Sequence, residues 1–172
     1  MSTAELNYQY EKFSSELARF GTHGLTLQTK LYTCNSSGSG MERKVDNAKQ
    51  AFREFRPKLN RLLTGNGWVR SAQKLPLVLV SLEGSKDNYD RNKSLHFHLT
   101  LGNFDVKRLD VDFLEKLVKH WCDTGIGTDD IKLTSLYDAS GFGGYCSKEV
   151  WKSNNECIDL MLSQIPAHLT GI

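Results

Sequence analysis

Residues 95–101 constrain the fold more than any other segment, because they read LHFHLTL and alternate between apolar and polar side chains. Successive side chains of a β-strand point to opposite faces, so this alternation predicts a strand with one buried face. The apolar face would consist of Leu95, Phe97, Leu99 and Leu101. The polar face would present His96 and His98 as neighbours, with their Cα atoms about 6–7 Å apart.

A second strand is predicted just upstream, where Leu75 to Glu83 reads LPLVLVSLE. Such a continuous apolar run is typical of a strand that is buried on both faces. The polar segment 84–93 would join the two strands as a hairpin and bring Glu83 beside the histidines. Two imidazoles and one carboxylate can bind a divalent metal and leave positions open for a substrate oxygen. We therefore predict a metal site at His96, His98 and Glu83, with Asp87 and Asp90 of the connection as further candidates.

The order of the other predicted elements gives the fold class. They are a helix over 8–20, a strand over 24–32, a helix over 41–63, a helix over 110–121, a strand over 131–137, one or two helical turns over 145–151 and a last helix over 154–164. Pro57 should kink or divide the helix over 41–63. The helix over 110–121 should have Asp112 and Glu115 as a capping box and an apolar stripe of Leu114, Leu117, Val118 and Trp121. The order β-α-β-β-α-β-α predicts an α+β fold in which helices pack on an antiparallel central sheet. Its two βαβ-like halves indicate the split βαβ arrangement of ferredoxin-like and RRM-like domains.

Length and composition place limits on the domain and its compartment. A chain of 172 residues fits a single domain, with its core at about residues 24–165. We find no apolar run long enough for a membrane span and no signal peptide, so we expect no membrane partner and a cytoplasmic location, or a nuclear one if the source is a eukaryotic virus. The four cysteines form no CxxC pair, which indicates ordinary thiols rather than a structural zinc site.

The net charge of +2 does not by itself indicate a nucleic-acid-binding protein, so a DNA site would need a local patch. The helix predicted over 41–63 offers one, with seven basic and three acidic residues on its polar face. This face is either solvated or in contact with phosphates. Candidate DNA-binding residues are Lys30, Arg53, Arg56, Arg61 and Trp68.

A second chemical signal is Tyr145-Cys146-Ser147-Lys148, because positions i and i+3 of a helix share a face. A phenol is almost entirely protonated at neutral pH, and a neighbouring ammonium group favours its ionised form. Tyr145 would then act as a nucleophile that forms a covalent phosphotyrosine, with Lys148 assisting.

The His-hydrophobic-His strand, followed by a helical Tyr-x-x-Lys, resembles the HUH endonuclease superfamily. Within it, the chain resembles the single-tyrosine nicking domains of rolling-circle replication initiator (Rep) proteins. The similarity spans roughly residues 24–150. GLTLQTK is a loose counterpart of the family's first motif. VSLEGSKDNYDRNKSLHFHLTL resembles the family's metal motif, and GYCSKE resembles its tyrosine motif.

This resemblance implies a nickase that needs Mn²⁺ or Mg²⁺ held by His96, His98 and Glu83. Its substrate would be single-stranded DNA at a specific origin or hairpin of a mobile element. Tyr145 would attack the scissile phosphate and Lys148 would position it. The sequence has no GxxxxGK[ST] motif and hence no helicase domain, so a separate helicase and polymerase are expected as partners.

Two other functions remain open from the sequence. His98-Leu99-Thr100 and His168-Leu169-Thr170 both fit the His-x-Thr motif of metal-independent two-histidine phosphoesterases. Alternatively, the chain is a non-catalytic, RRM-like nucleic-acid-binding module, although it carries no RNP-type aromatic motif.

Overall fold

The computed structural model of the protein describes residues 2–34, 36, 38–85, 92–139, 141 and 158–170. Its elements are α1 (Thr3–Ala18), β1 (Gly21–Tyr32), α2 (Ser39–Thr64), α3 (Gly67–Arg70), β2 (Leu77–Glu83), β3 (Ser94–Gly102), α4 (Val111–Cys122), β4 (Gly127–Ser135) and α5 (Ala167–Thr170). Short 3-10 turns cover 72–74 and 106–108.

The four strands form one antiparallel sheet in the order β2-β3-β1-β4. The helix α2 connects β1 to β2, and α4 connects β3 to β4, so two βαβ-like halves interleave in one sheet. The predicted α+β class is confirmed, and the arrangement is compatible with a ferredoxin-like fold. The β2–β3 hairpin is confirmed as well, with Glu83 opposite His96.

One face of the sheet packs against α2 and α4 and contains the main hydrophobic core. Phe97 of β3 lies at its centre, with its ring centroid 5.0 Å from that of Phe52 and 5.8 Å from that of Trp121. The Trp121 indole also donates a 2.7 Å hydrogen bond to the Gln28 carbonyl, which fixes α4 to the sheet. The apolar positions predicted for β3 are all fully buried on this side.

The helix α2 is continuous from Ser39 to Thr64, so Pro57 does not divide it, and that part of the prediction is wrong. Phe55 and Leu59 are fully buried on either side of Pro57, so the helix packs on the core both before and after the proline. Pro57 itself is exposed, so the carbonyl that its missing N–H leaves without a helical partner can bond to water.

Two predictions for the helix α4 are wrong. The helix α4 is capped by Asp110, whose side chain accepts from the Phe113 N–H at 2.8 Å, and not by a box of Asp112 and Glu115. Phe113 is buried in the stripe where Leu114 was expected, and Leu114 is 40% exposed.

The strand β4 begins at Gly127, four residues before the prediction, and ends at Ser135. The sequence did not predict its polar first half, because a strand at the edge of a sheet can lack apolar alternation while β1 supplies its hydrogen bonds. Gly127 is required there, because a Cβ atom would lie 2.3 Å from the Trp121 carbonyl oxygen.

The predicted last helix is wrong over residues 158–164. This edge segment (158–164) instead runs beside β2, where the Val78 N–H donates to Gln164 at 2.9 Å and the Asp159 N–H donates to Val80 at 2.8 Å. The backbone groups of β2 need partners at the sheet edge, and this need outweighs helix propensity. Residues 142–157, which include the helical turns predicted over 145–151, lie outside the described residues.

The helix α1 covers Thr3–Ala18 rather than 8–20, because Ser2 and Glu5 form a capping box at its start. Its Leu17 and Ala18 pack against Leu77 and Leu79 on the second face of the sheet. Within the described part of the chain, no helix combines the length and apolarity that a membrane crossing requires.

Candidate metal centre

The hairpin brings the three predicted metal ligands together on the second face of the sheet. In the β2–β3 ladder Glu83 lies opposite His96, and Ser81 lies opposite His98. The Nε2 atoms of His96 and His98 lie 3.8 Å and 3.7 Å from the same Glu83 carboxylate oxygen, Oε2. The two imidazole rings are 5.0 Å apart at their centroids and nearly perpendicular. Three potential ligand atoms therefore point toward one small volume.

Hydrogen bonds to the far side of each ring fix this orientation. The His96 Nδ1 atom lies 3.0 Å from the Ser94 carbonyl oxygen, which can only accept, so this nitrogen carries the hydrogen. In the neutral ring the lone pair is then on Nε2, which faces Glu83. The His98 Nδ1 atom lies 3.0 Å from the Thr26 hydroxyl, which can donate or accept. Such partners are what orient metal-binding histidines in known sites.

The burial of the carboxylate gives the site an electrostatic requirement. Glu83 is 2% exposed and His98 is 8% exposed, while His96 reaches solvent with 22% of its side chain. An ionised carboxylate at this depth is costly unless positive charge is close by. Protonated imidazoles or a divalent cation would supply that charge at the same place.

The distances fit a metal site that needs only a small contraction. Ligand atoms about 2.1 Å from one ion lie about 3.0–3.4 Å apart in octahedral or tetrahedral geometry. The three ligand atoms here all lie within 4.8 Å of one another. Closing a separation of up to 4.8 Å to about 3.4 Å takes a shift of up to about 0.7 Å in each of the two side chains, and it leaves the solvent side of the shell open. The donor set suits Mn²⁺, Zn²⁺ or Fe²⁺, and Mg²⁺ with added water.

A cavity of about 620 Å³ adjoins this centre and extends across β1 and β4. His98 lines it together with Thr26 and Lys132, which follow His98 in one row of cross-strand neighbours. Gly24 lies in the next row and leaves the floor of the cavity without a side chain. The exposed Lys132 forms no ion pair within the described chain, so its ammonium group is available to an anion that lies near His98.

The predicted nucleophile and its helper, Tyr145 and Lys148, lie outside the described residues, as do Asp87 and Asp90. The chain is described on both sides of the tyrosine motif. Gly141 lines the cavity together with His98. Ile158 forms a β-bridge with Ser81, the cross-strand neighbour of His98.

The arginines predicted to bind DNA do not gather around the metal centre. The helix α2 packs on the apolar face of the sheet, so Arg53, Arg56 and Arg61 belong to the opposite layer. Arg56 has a structural contact, because its guanidinium donates to the Leu162 carbonyl of the edge segment at 2.8 Å. Arg53, Arg61 and Lys30 are exposed, and Trp68 is half-buried.

Sequence reasoning missed Thr26 and Lys132 as members of this site. Both belong to strands other than the His-x-His strand, and their positions follow from the pairing of β1 with β3 and β4. The alternation of Thr26, Gln28 and Lys30 in β1 was a usable signal. It indicated a polar face but not which strand would lie beside it.

Comparisons with known proteins give no family for this chain. No protein-family profile matches it, and no solved structure matches it. It is similar to the glutathione synthetase large chain of Schizosaccharomyces pombe, with 25% identity over 162 residues. The alignment covers 88% of this chain and 32% of that protein, so the chain spans about a third of the length of this curated relative.

Proposed function

We propose that the protein is a divalent-metal-dependent nickase of the HUH type that cuts and rejoins single-stranded DNA. The observation that carries this proposal is the convergence of the His96 and His98 Nε2 atoms on one oxygen of the buried Glu83. The ring contacts to Ser94 and Thr26 support a ligand role, since they leave the Nε2 atoms directed at the centre. The combination of this strand with Tyr145-x-x-Lys148 supports the class of chemistry.

Mn²⁺ or Mg²⁺ bound there would polarise the scissile phosphate and stabilise its developing charge. The Tyr145 hydroxyl oxygen would attack phosphorus, and the bond from phosphorus to the 3′ oxygen would break. The phenol proton would go to solvent, and the leaving 3′ oxygen would take one up. The products are a free 3′ hydroxyl and a 5′ phosphotyrosine, which the 3′ hydroxyl can attack again to reseal the strand. Lys148 would hold the phosphate during both steps.

The reach of the chain is consistent with this role for Tyr145. Gly141 lines the same cavity as His98, and Tyr145 is four positions further along the chain. Four residues span at most about 14 Å.

The cavity on the histidine face of the sheet favours a single strand as substrate. Within the described chain it has an exposed cation, Lys132, and at Gly24 a floor without a side chain, which suits a bare phosphate with its nucleotide. We place the activity in rolling-circle replication or at an origin of a mobile element, with a separate helicase and polymerase as partners. The whole domain, 1–172, would serve this one function.

The two-histidine phosphoesterase is less well supported. Its second motif, His168-Leu169-Thr170, falls in the four-residue helix α5, where His168 is exposed, and not on a strand opposite His98. It also assigns no role to His96 and Glu83. A non-catalytic RRM-like module would have the same kind of sheet, so the experiment below is needed to distinguish it from the nickase.

The test incubates the protein with a pool of random single-stranded oligonucleotides and Mn²⁺, and looks for a covalent protein–DNA adduct by mass. We expect an adduct on Tyr145 that is lost with EDTA, lost in Tyr145→Phe and lost in His98→Ala. Tyr137→Phe is the matched control, because Tyr137 is a fully exposed tyrosine that lines the same cavity. It should retain the adduct.

Other results would separate the alternatives. Cleavage that resists EDTA and leaves no adduct would support the two-histidine enzyme. Binding of oligonucleotides without cleavage, unchanged in Tyr145→Phe, would support the RRM-like module. An adduct mapped to any residue other than Tyr145 would overturn the mechanism.

A further inference from the structure

A group of cations lies in the helical layer, on the side of the sheet away from the metal centre. It surrounds a cavity of about 480 Å³ between the C-terminal half of α2, the 3-10 turn at 106–108 and α4. We call it the α2–α4 cationic cluster, and it consists of Arg61, Lys107, Arg108 and His120. Lys58 and Lys119 lie close enough to act electrostatically on His120.

The acidic residues around this cavity already have partners. The Asp110 carboxylate caps α4 by accepting from the Phe113 N–H at 2.8 Å. Asp112 forms an ion pair with Lys116, and Asp123 forms one with Lys119 at 3.0 Å. Among the described residues, no carboxylate forms an ion pair with Arg61, Lys107 or Arg108. The cavity therefore keeps an excess of positive charge.

Local contacts account for only part of this charge. The Arg61 Nε atom donates to the neutral Asn66 side chain at 3.1 Å, which leaves its two terminal nitrogens for another partner. Arg108 lies over Gly65 at the C-terminus of α2, where the helix dipole supplies about half of a negative charge. The Lys107 ammonium group makes no hydrogen bond within the described chain. The backbone N–H of this residue donates to the Asp105 carboxylate at 3.0 Å.

The pKa of His120 is lowered in part by the same positive charges. Burial lowers the pKa of His120, and Lys58, Lys119 and Arg61 lower it further, against a smaller raising effect of Asp123. Its Nδ1 atom is buried and has no hydrogen-bond partner among the described residues. A phosphate anion in the cavity that His120 lines would offset the positive field that lowers its pKa.

We propose that the α2–α4 cationic cluster binds phosphate groups, as a second site separate from the metal centre. Phosphate oxygens accept several charge-assisted hydrogen bonds at once, and guanidinium groups match their geometry. The same chemistry is offered by the backbone of a DNA strand and by free phosphate or a nucleotide. The site follows from residues of the helical layer alone, so it does not require the proposed nickase activity.

The test follows the His120 ring by NMR during titration with inorganic phosphate, and then with a 16-nucleotide DNA as single strand and as duplex. We expect a saturable shift of the His120 resonances and a higher His120 pKa in the bound protein. The double variant Arg61→Gln/Lys107→Gln should weaken binding by about tenfold or more, because charge-assisted hydrogen bonds are lost.

The matched control is Lys12→Gln/Arg43→Gln, which removes the same number of charges from exposed positions elsewhere. Arg43 is eighteen positions from Arg61 on α2, or about 27 Å along the helix. This control should bind as wild type. If DNA binding falls in parallel with phosphate binding in the cluster variant, the ligand is a nucleic-acid backbone, and if phosphate binding alone falls, it is a free phosphate compound.

The proposal would be overturned if no titrant shifted His120 in a saturable way, or if the control lost as much affinity as the cluster variant. Repeating the titration in His96→Ala/His98→Ala keeps the two proposals apart. Phosphate binding should persist there even if the metal-dependent activity is absent.

Discussion

The two faces of the central sheet are built from the same strands but are determined in different ways. On the helical face, Phe97 and Leu99 of β3 are fully buried among many apolar neighbours, and no single contact sets their place. On the other face, His96 and His98 of the same strand depend on a few named partners in β1 and β2. In β3 the first face therefore contributes mainly to stability, and the second contributes to chemistry through individual atoms.

The largest expected effect is on the helical face. Phe97→Ala removes a ring that contacts both Phe52 and Trp121 and should lower the free energy of unfolding by about 3–5 kcal/mol, through lost burial and a cavity. Urea denaturation of the metal-free protein measures this. The matched change on the other face of β3, His96→Ala, should cost less, about 1–2 kcal/mol in the same assay, because its side chain is partly exposed and His98 stays beside Glu83. Equal losses of stability in the two variants would contradict the difference that we expect between the two faces.

A smaller effect is expected at the hydroxyl that orients His98. Thr26→Val keeps the shape of the side chain but removes the oxygen 3.0 Å from Nδ1, and should weaken Mn²⁺ binding by about 10- to 100-fold. Titration calorimetry with Mn²⁺ gives the affinity.

The control for this change is Thr29→Val in the same strand. The Thr29 hydroxyl is buried and donates to the Leu95 carbonyl at 2.6 Å, away from the histidine rings. Its loss should cost about 1–3 kcal/mol of stability and leave the Mn²⁺ affinity unchanged. If Thr26→Val left the affinity unchanged, the orienting role of this hydroxyl would be wrong.

Much of this contrast could be predicted from the sequence, because it follows from local periodicity. The alternation of LHFHLTL placed Phe97 and His98 on opposite faces, and the apolar run that ends at Glu83 gave the hairpin that pairs it with His96. These elements are adjacent in the chain, so a short connection was enough to bring the three ligands together.

The remaining features depend on pairing between distant segments. The row from His98 through Thr26 to Lys132 exists because β1 lies between β3 and β4, and no periodicity within one segment contains that order. The edge segment was predicted as a helix because its partners are far away in the chain. Lys49 binds Asp159 at 2.9 Å, and Asn60 exchanges amide hydrogen bonds with Gln164.

The most direct measurement of the central claim is pulsed EPR of Mn²⁺ bound to the protein, which detects imidazole nitrogens coordinated to the ion. We expect coupling to two nitrogens in the wild type, to one in His96→Ala or His98→Ala, and to two in the control His23→Ala, whose ring lies elsewhere, against Phe104. Bound Mn²⁺ without nitrogen coupling, or coupling that both site variants left unchanged, would contradict the assignment of Glu83, His96 and His98 as the metal centre.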